Sequence, residues 1–190
     1  MNPLQHPPVD EAAAAPSGDA APAPAASGPS RRAGRRDKPE RGTRTGFSTG
    51  ACSAAAARAC ALGLVHGQVP ESVESLLANG QRVSFAIHDG RIEGEGLARV
   101  AHGYVQKFAG DDPDCTDGAH LTVDLRILPG QAGQVQFRAG PGVGTVTLPG
   151  LGLEIGGPAI NPVPRANITQ NLQEVAGPLL AEHGLEGTVS

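Results

Sequence analysis

Between Leu121 and Ile127 every second residue is a large aliphatic: Leu121, Val123, Leu125 and Ile127 alternate with Thr122, Asp124 and Arg126. A period of two puts the aliphatics on one side of an extended strand and the polar groups on the other. The same alternation runs through Val83, Phe85 and Ile87 and, more briefly, through Val135 and Phe137. Another extended stretch reaches Tyr104 and Val105. Leu76 and Leu77 lead into Asn79-Gly80, which predicts a two-residue hairpin turn, and Asp89-Gly90 predicts a second turn. Half-buried strands joined by tight turns predict a largely antiparallel sheet with one face resting on helices.

Two segments break the alternation. Residues 47–63 open with Ser48 and Thr49, both good helix caps, and continue through Ala and Cys with Arg58 as the one charge and Gly63 as the expected stop. A helix of small residues on every side lets neighbouring backbones come close, so it belongs in the centre of a fold. Near the other end, Ile168, Leu172 and Val175 fall at i, i+4 and i+7 after Asn161-Pro162, and Gly177-Pro178 predicts the end of that helix. Helix, strands, helix in that order predicts an α+β domain.

Composition divides the chain. The first 42 residues hold 8 of the 17 prolines, long Ala/Pro/Ser/Gly stretches and no aromatic residue. Such a segment buries too little apolar surface to offset the entropy of ordering, so 1–42 is expected to be a disordered tail and 43–190 a domain with a real core. The tail ends in a basic cluster, Arg31, Arg32, Arg35, Arg36, Lys38 and Arg41, whereas 43–190 has nine Lys/Arg against fourteen Asp/Glu. A domain with that balance lacks the basic footprint of a nucleic-acid binder, and the cluster reads as a solvated linker. There is no apolar signal-peptide core and no run of about 18 apolar residues to span a membrane. Three cysteines without a CxxC pair argue against a disulfide framework or a zinc site, and place the chain in a reducing cytoplasm.

Four stretches carry candidate chemistry. Thr43-Arg44-Thr45-Gly46-Phe47-Ser48-Thr49-Gly50 sets hydroxyls and glycines at a helix N-terminus, which suits either an anion or an ordinary cap. In Lys107-Phe108-Ala109-Gly110-Asp111-Asp112-Pro113-Asp114-Cys115-Thr116-Asp117-Gly118, four carboxylates repel one another unless a metal, N–H donors or the Lys107 cation compensates. The spacing is not that of an EF-hand, since the twelfth place from Asp112 is Val123. Gly140-Pro141-Gly142-Val143-Gly144-Thr145 permits close approach of a ligand or of another backbone. Gly156-Gly157-Pro158-Ala159-Ile160-Asn161-Pro162-Val163-Pro164-Arg165 puts Arg165 in a first helical turn, against the dipole, which suggests an anionic partner or a solvent-facing side chain. The six histidines show no metal-binding pattern and read as surface or strand residues.

Taken in order, the four stretches resemble the CbiD family. The matching segments are Arg44 to Gly50 running into the Ala-rich helix, Lys107 with Ala109 to Asp114, Gly142 to Thr147, and Pro158 to Arg165. Phe108 departs from the Asp usual in the family, and Leu148 from a basic residue. The resemblance implies S-adenosylmethionine-dependent methylation of C-1 of cobalt-precorrin-5B, giving cobalt-precorrin-6A in anaerobic cobalamin biosynthesis. Cobalt would enter only as part of that corrinoid substrate, with no metal held by the protein. It implies catalytic roles for Asp111, Asp112 and Lys107. Substrate would be held by Arg44, Thr45, Ser48, Thr49, Gly50, Asn161 and Arg165, and S-adenosylmethionine by Gly142, Gly144 and Thr145. Family members continue into a Rossmann-like domain that this sequence lacks, so a second reading is a truncated, non-catalytic binding or assembly module. A homo-oligomer is compatible with either; nucleic acid and membrane are not expected as partners.

Overall fold

The computed structural model describes residues 46–111, 114–150 and 152–190. The expected tail, 1–42, lies outside the described residues, as do Arg44, Thr45 and Asp112.

Helix α1, Thr49–His66, begins where expected: Ser48 is the N-cap and its hydroxyl accepts from the Ala51 N–H at 3.2 Å. It does not stop at Gly63. The left-handed cap is Gly67 (φ 85°), whose N–H bonds the Gly63 carbonyl at 2.8 Å. Gly63 serves close approach instead, because a Cβ there would stand 2.6 Å from Val69 Cγ2. Nearly every side of α1 is buried, Cys52 through Ala57 and on to Leu64, as a helix of small residues in the middle of a fold should be.

Strands β1 (Ser72–Leu76) and β2 (Arg82–Ala86) form an antiparallel hairpin. Its loop is longer than a two-residue turn. The Gly80 N–H bonds the Leu77 carbonyl, Leu77 N–H bonds Gln81, and Gly80 takes φ 84°, so the left-handed residue follows a turn and bulges the hairpin. Asp89-Gly90 is no turn either. Both lie inside β3 (His88–Glu93), where the register against the next strand jumps between His88 and Arg91 and Asp89 takes φ 52°. That bulge bends the strand around Val69, whose side chain leaves no room for a Cβ at Gly90.

A short 3₁₀ turn, Gly96–Ala98, leads to β4 (Val100–Gln106) and β5 (His120–Leu128). After β6 (Val135–Ala139) come α2 (Pro162–Glu182) and β7 (Gly184–Val189). The five-stranded sheet has the order β3-β4-β5-β7-β6. Its pairs are antiparallel except β6 with β7, which run parallel. Leu121, Val123, Leu125 and Ile127 are all buried, so the period-two reading of β5 holds.

Helix α2 passes through the predicted stop at Gly177-Pro178. A kink at Ala176 (φ −122°, ψ 22°) absorbs the proline, and the apolar seam Ile168, Leu172, Ala176, Leu180 continues across it. Apolar burial carries the helix past a local breaker. α1 lies against β4 and β5, with α2 at its flank. A Cβ on Gly50 would touch Pro164, while Arg58 bonds Asn171 and Glu174, so the two helices run in the same direction. Both N-termini therefore open at one end of the domain. No helix among the described residues is long and apolar enough to cross a membrane.

Candidate functional site

That shared end gathers pieces of all four stretches. A cleft of about 460 Å³ is lined by Thr49 and Gly50 from the first, Thr116 from the second, Pro141 to Gly144 from the third, and Ala159 to Asn161 from the fourth. It lies beyond the carboxyl ends of the parallel pair β6 and β7, and Val189 and Ser190 form part of its wall. Clefts at the carboxyl ends of parallel strands are common ligand sites, because the loops there diverge and helix N-termini face in.

Local packing explains the convergence. Gly46 lies so close to Ala109 that a Cβ would stand 2.0 Å from its carbonyl oxygen, and the Phe47 N–H bonds the Phe108 carbonyl at 2.8 Å. Phe47 also packs on the Phe85 ring, centroids 4.8 Å apart. The third and fourth stretches are zipped together: Ala159 N–H to Gly144 carbonyl at 2.8 Å, Val146 N–H to Gly157 at 2.9 Å, and Gly156 N–H to Val146 at 2.8 Å. Gly142, at φ 85°, turns the chain toward the cleft.

The acidic loop is compensated from within. Lys107 is 3% exposed, and its ammonium bonds Asp114 Oδ2 at 2.6 Å. Asp114 Oδ1 accepts from the Thr116 N–H and hydroxyl at 2.8 and 2.6 Å, and Asp117 Oδ1 accepts from the Ala109 N–H at 2.8 Å. The Lys107 bond, then those from Thr116, hold the Asp114 carboxyl well below the usual range. Of the compensations open to the sequence, the Lys107 cation and N–H donors are both present around Asp114 and Asp117. Lys107 thus fastens the loop. Asp111 stands exposed on it. Burial lifts the neighbouring Cys52 thiol to about 11, with the Lys107 charge pulling the other way.

Arg165 is placed differently from the expectation. Its Nε and Nη2 donate to the carbonyls of Ile160 and Pro158, both at 2.8 Å, and its guanidinium lies 5.6 Å from the Phe137 ring centroid. The cation sits against the dipole because it reaches back past the helix start to two carbonyls, which orient the Pro158–Ile160 segment. With Thr145 it lines a separate cleft of about 580 Å³ beside β6. Ser48 lines a third cleft of about 540 Å³ with Phe47, Leu77, Val83 and Val163. The site residues named from sequence therefore divide: Thr49, Gly50, Asn161, Gly142 and Gly144 meet in one cleft, whereas Ser48, Thr145 and Arg165 face others.

The two helix ends contribute unequally. In α1 the Thr49 and Gly50 N–H groups have no intrahelical acceptor. In α2, Pro162 and Pro164 have no N–H to offer, Arg165 N–H bonds Asn161 at 3.2 Å, and the Asn161 side chain caps nothing. Among the described residues no Asp or Glu lines the 460 Å³ cleft. It is a neutral, donor-rich site. Sequence reasoning missed two of its residues. His120, at the start of β5, stacks on the Tyr104 ring at 4.1 Å. Ser53 is the one hydroxyl in α1 beyond its first residue, a signal that was there to be read.

An α+β domain with two parallel helices on a mixed sheet, and a small-ligand cleft where their N-termini meet, is the class these features define. The chain belongs to the CbiD family, whose profile matches residues 36–188. It is 61% identical over 160 residues to a cobalt-precorrin-5B C(1)-methyltransferase of Polaromonas sp. (strain JS666 / ATCC BAA-500), covering 82% of this chain and 43% of that protein. Over 150 residues it is 64% identical to the protein of the same name from Variovorax paradoxus (strain S110), covering 79% of this chain and 40% of the relative. A crystal structure of the cobalamin biosynthesis protein cbiD from Archaeoglobus fulgidus shares the fold at a TM-score of 0.50 and 22% identity, over 77% of this chain and 43% of that one. The chain thus spans about two-fifths of the length of these relatives.

Proposed function

We propose that this chain supplies the substrate-holding domain, 43–190, of a cobalt-precorrin-5B C(1)-methyltransferase working in the cytoplasm. One observation carries the reading: in a CbiD-family chain, all four distinctive stretches contribute to one cleft of ligand size. The substrate is a cobalt-corrinoid macrocycle, with cobalt as part of that substrate. S-adenosylmethionine, when bound, supplies an electrophilic methyl group on its sulfonium. The fit of the cleft to such ligands rests on its volume, its Thr49 and Gly50 N–H donors, and the absence of carboxylates among its described lining. Both ligands carry carboxylates, which those donors and the two helix dipoles favour.

The protein's work in this reading is orientation. Lys107 and Asp114 fix the loop that supports Thr116, and Arg165 fixes the segment that presents Asn161. Groups held this firmly can align macrocycle carbon and methyl donor and exclude water, the largest contribution open to a reaction whose electrophile is already activated. The chain spans about two-fifths of the relatives' length, and the second reading is a binding module without turnover of its own.

The test is to mix the chain with cobalt-precorrin-5B and S-adenosylmethionine and follow binding by absorbance and product by mass. Binding with a methylated product supports the first reading. Binding that gives product only when the C-terminal portion of a relative is added supports the second. Neither binding nor product overturns both.

A further inference from the structure

We infer that the cleft at the paired helix N-termini is a carboxylate seat, and that Ser53 is its innermost donor; the inference rests on the reading of this cleft as the ligand site. Ser53 is 4% exposed, lines the cleft, and its hydroxyl has no hydrogen-bond partner among the described residues. Buried hydroxyls in helices ordinarily bond the carbonyl four residues back or a neighbouring group. This one does neither. It stands one turn into α1 from Thr49 and Gly50, so a ligand lying along that end of the helix can reach the hydroxyl from where the two N–H groups without intrahelical acceptors open.

The surroundings select the ligand's charge. α1 and α2 point their positive ends at the cleft, and no described Asp or Glu lines it. A cation finds no acceptor of its own charge type here. A carboxylate finds three donors in a desolvated corner, where hydrogen bonds to a charged group are strongest. The carboxylate has two possible sources: an acetate or propionate arm of the macrocycle, or the amino-acid end of the methyl donor.

Ser53→Ala separates a ligand-binding hydroxyl from a structural one. Alanine suits the helix and removes a hydroxyl that faces the cleft without bonding the fold, so the variant should melt no lower than the wild type. The same change should weaken the carboxylate ligand roughly ten-fold. Titrations of wild type and variant would use a corrin polycarboxylate against its methyl ester, and S-adenosylhomocysteine against methylthioadenosine, which lacks the amino-acid end. The source of the carboxylate is the pair in which only the acid loses affinity in the variant. Ser53-dependent binding of S-adenosylhomocysteine with no corrinoid binding would keep the seat and remove the macrocycle-holding reading. A lower melting temperature for Ser53→Ala would show a structural hydroxyl and overturn the inference. So would equal affinities of wild type and variant for every acid, and in that case corrinoid binding would still uphold the function proposed above.

Discussion

Asn171 offers the sharpest test of how the cleft is supported. It is fully buried on α2, 0% exposed, and ties that helix to the hairpin. Its Nδ2 donates to the carbonyls of Leu76 and Asn167 at 2.9 and 3.0 Å. Its Oδ1 accepts from the Leu76 N–H and the Ser75 hydroxyl, both at 3.1 Å, and more weakly from Arg58 at 3.4 Å. Asn171→Leu keeps the branched shape with the same number of heavy atoms and removes both functions. The Leu76 carbonyl retains Asn167 Nδ2 at 2.8 Å, and Arg58 retains Glu174 at 2.7 Å. The Leu76 N–H and the buried Ser75 hydroxyl are left without an acceptor, at about 1–3 kcal/mol each. Allowing about 1 kcal/mol back for the apolar side chain, the net loss should be about 3 kcal/mol. In urea unfolding this lowers the midpoint by roughly 1–2 M at unchanged slope. Ser75→Ala supplies the internal control. In the wild type it breaks a hydrogen bond and destabilises, whereas in Asn171→Leu it removes an orphaned hydroxyl and stabilises. If Ser75→Ala has the same sign in both backgrounds, or Asn171→Leu loses under about 1 kcal/mol, the clamp is not what joins α2 to the hairpin.

Two further outcomes follow from the titrating groups. Asp114, held down by Lys107 and then Thr116, and Glu174, held down by Arg58 and then Arg82, have folded pKa values below their unfolded ones. The stability they add is present above the ordinary carboxylate range of about 4 and is lost as pH falls through and below it, so midpoints measured from pH 6 down to 3 should decline at the acid end, less steeply in Asp114→Asn and Glu174→Gln. A wild-type profile that is flat to pH 3 would contradict both pairs. Cys52 and Cys60 are buried with thiols pushed up by desolvation, while Cys115 is exposed, so a maleimide at pH 7.5 should label one site per native chain and mass spectrometry should place it at Cys115.

The elements with strict periodicity were the legible ones. β5 announces its buried face in four aliphatics, and α1 announces a central place by having no large side chain to expose. Boundaries failed where a tertiary neighbour outweighed a local signal. Gly63 has a helix stop's composition, but it is glycine because Val69 presses on α1. Asp89-Gly90 has a turn's composition and serves as a bulge around the same valine. Gly177-Pro178 has a helix breaker's composition, yet Leu180 lies beyond it on the buried seam and holds the Gly133 N–H at 2.7 Å. In each case the sequence shows the residue that permits a conformation, and the neighbour that demands it lies far along the chain.

The site was legible as a set of stretches but not as a division of labour among them. Glycine and proline spacing marks where backbones approach, and Gly46, Gly50, Gly142 and Gly144 stand at such places in the stretches. Lys107 and Arg165 look like ligand anchors in a string of letters, yet their nearest partners are Asp114 and two backbone carbonyls, so their cations hold the walls in place. What remains to face a ligand is neutral: two N–H groups, a hydroxyl and an amide, at the positive ends of two helices that run the same way. As a carboxylate seat, that arrangement would select by field and by donor geometry, without a fixed counter-charge among the described lining residues. Exchanging a helix cap or adding a carboxylate on the lining should therefore disturb binding more than removing either conspicuous cation, whose loss would be felt first in the shape of the loops.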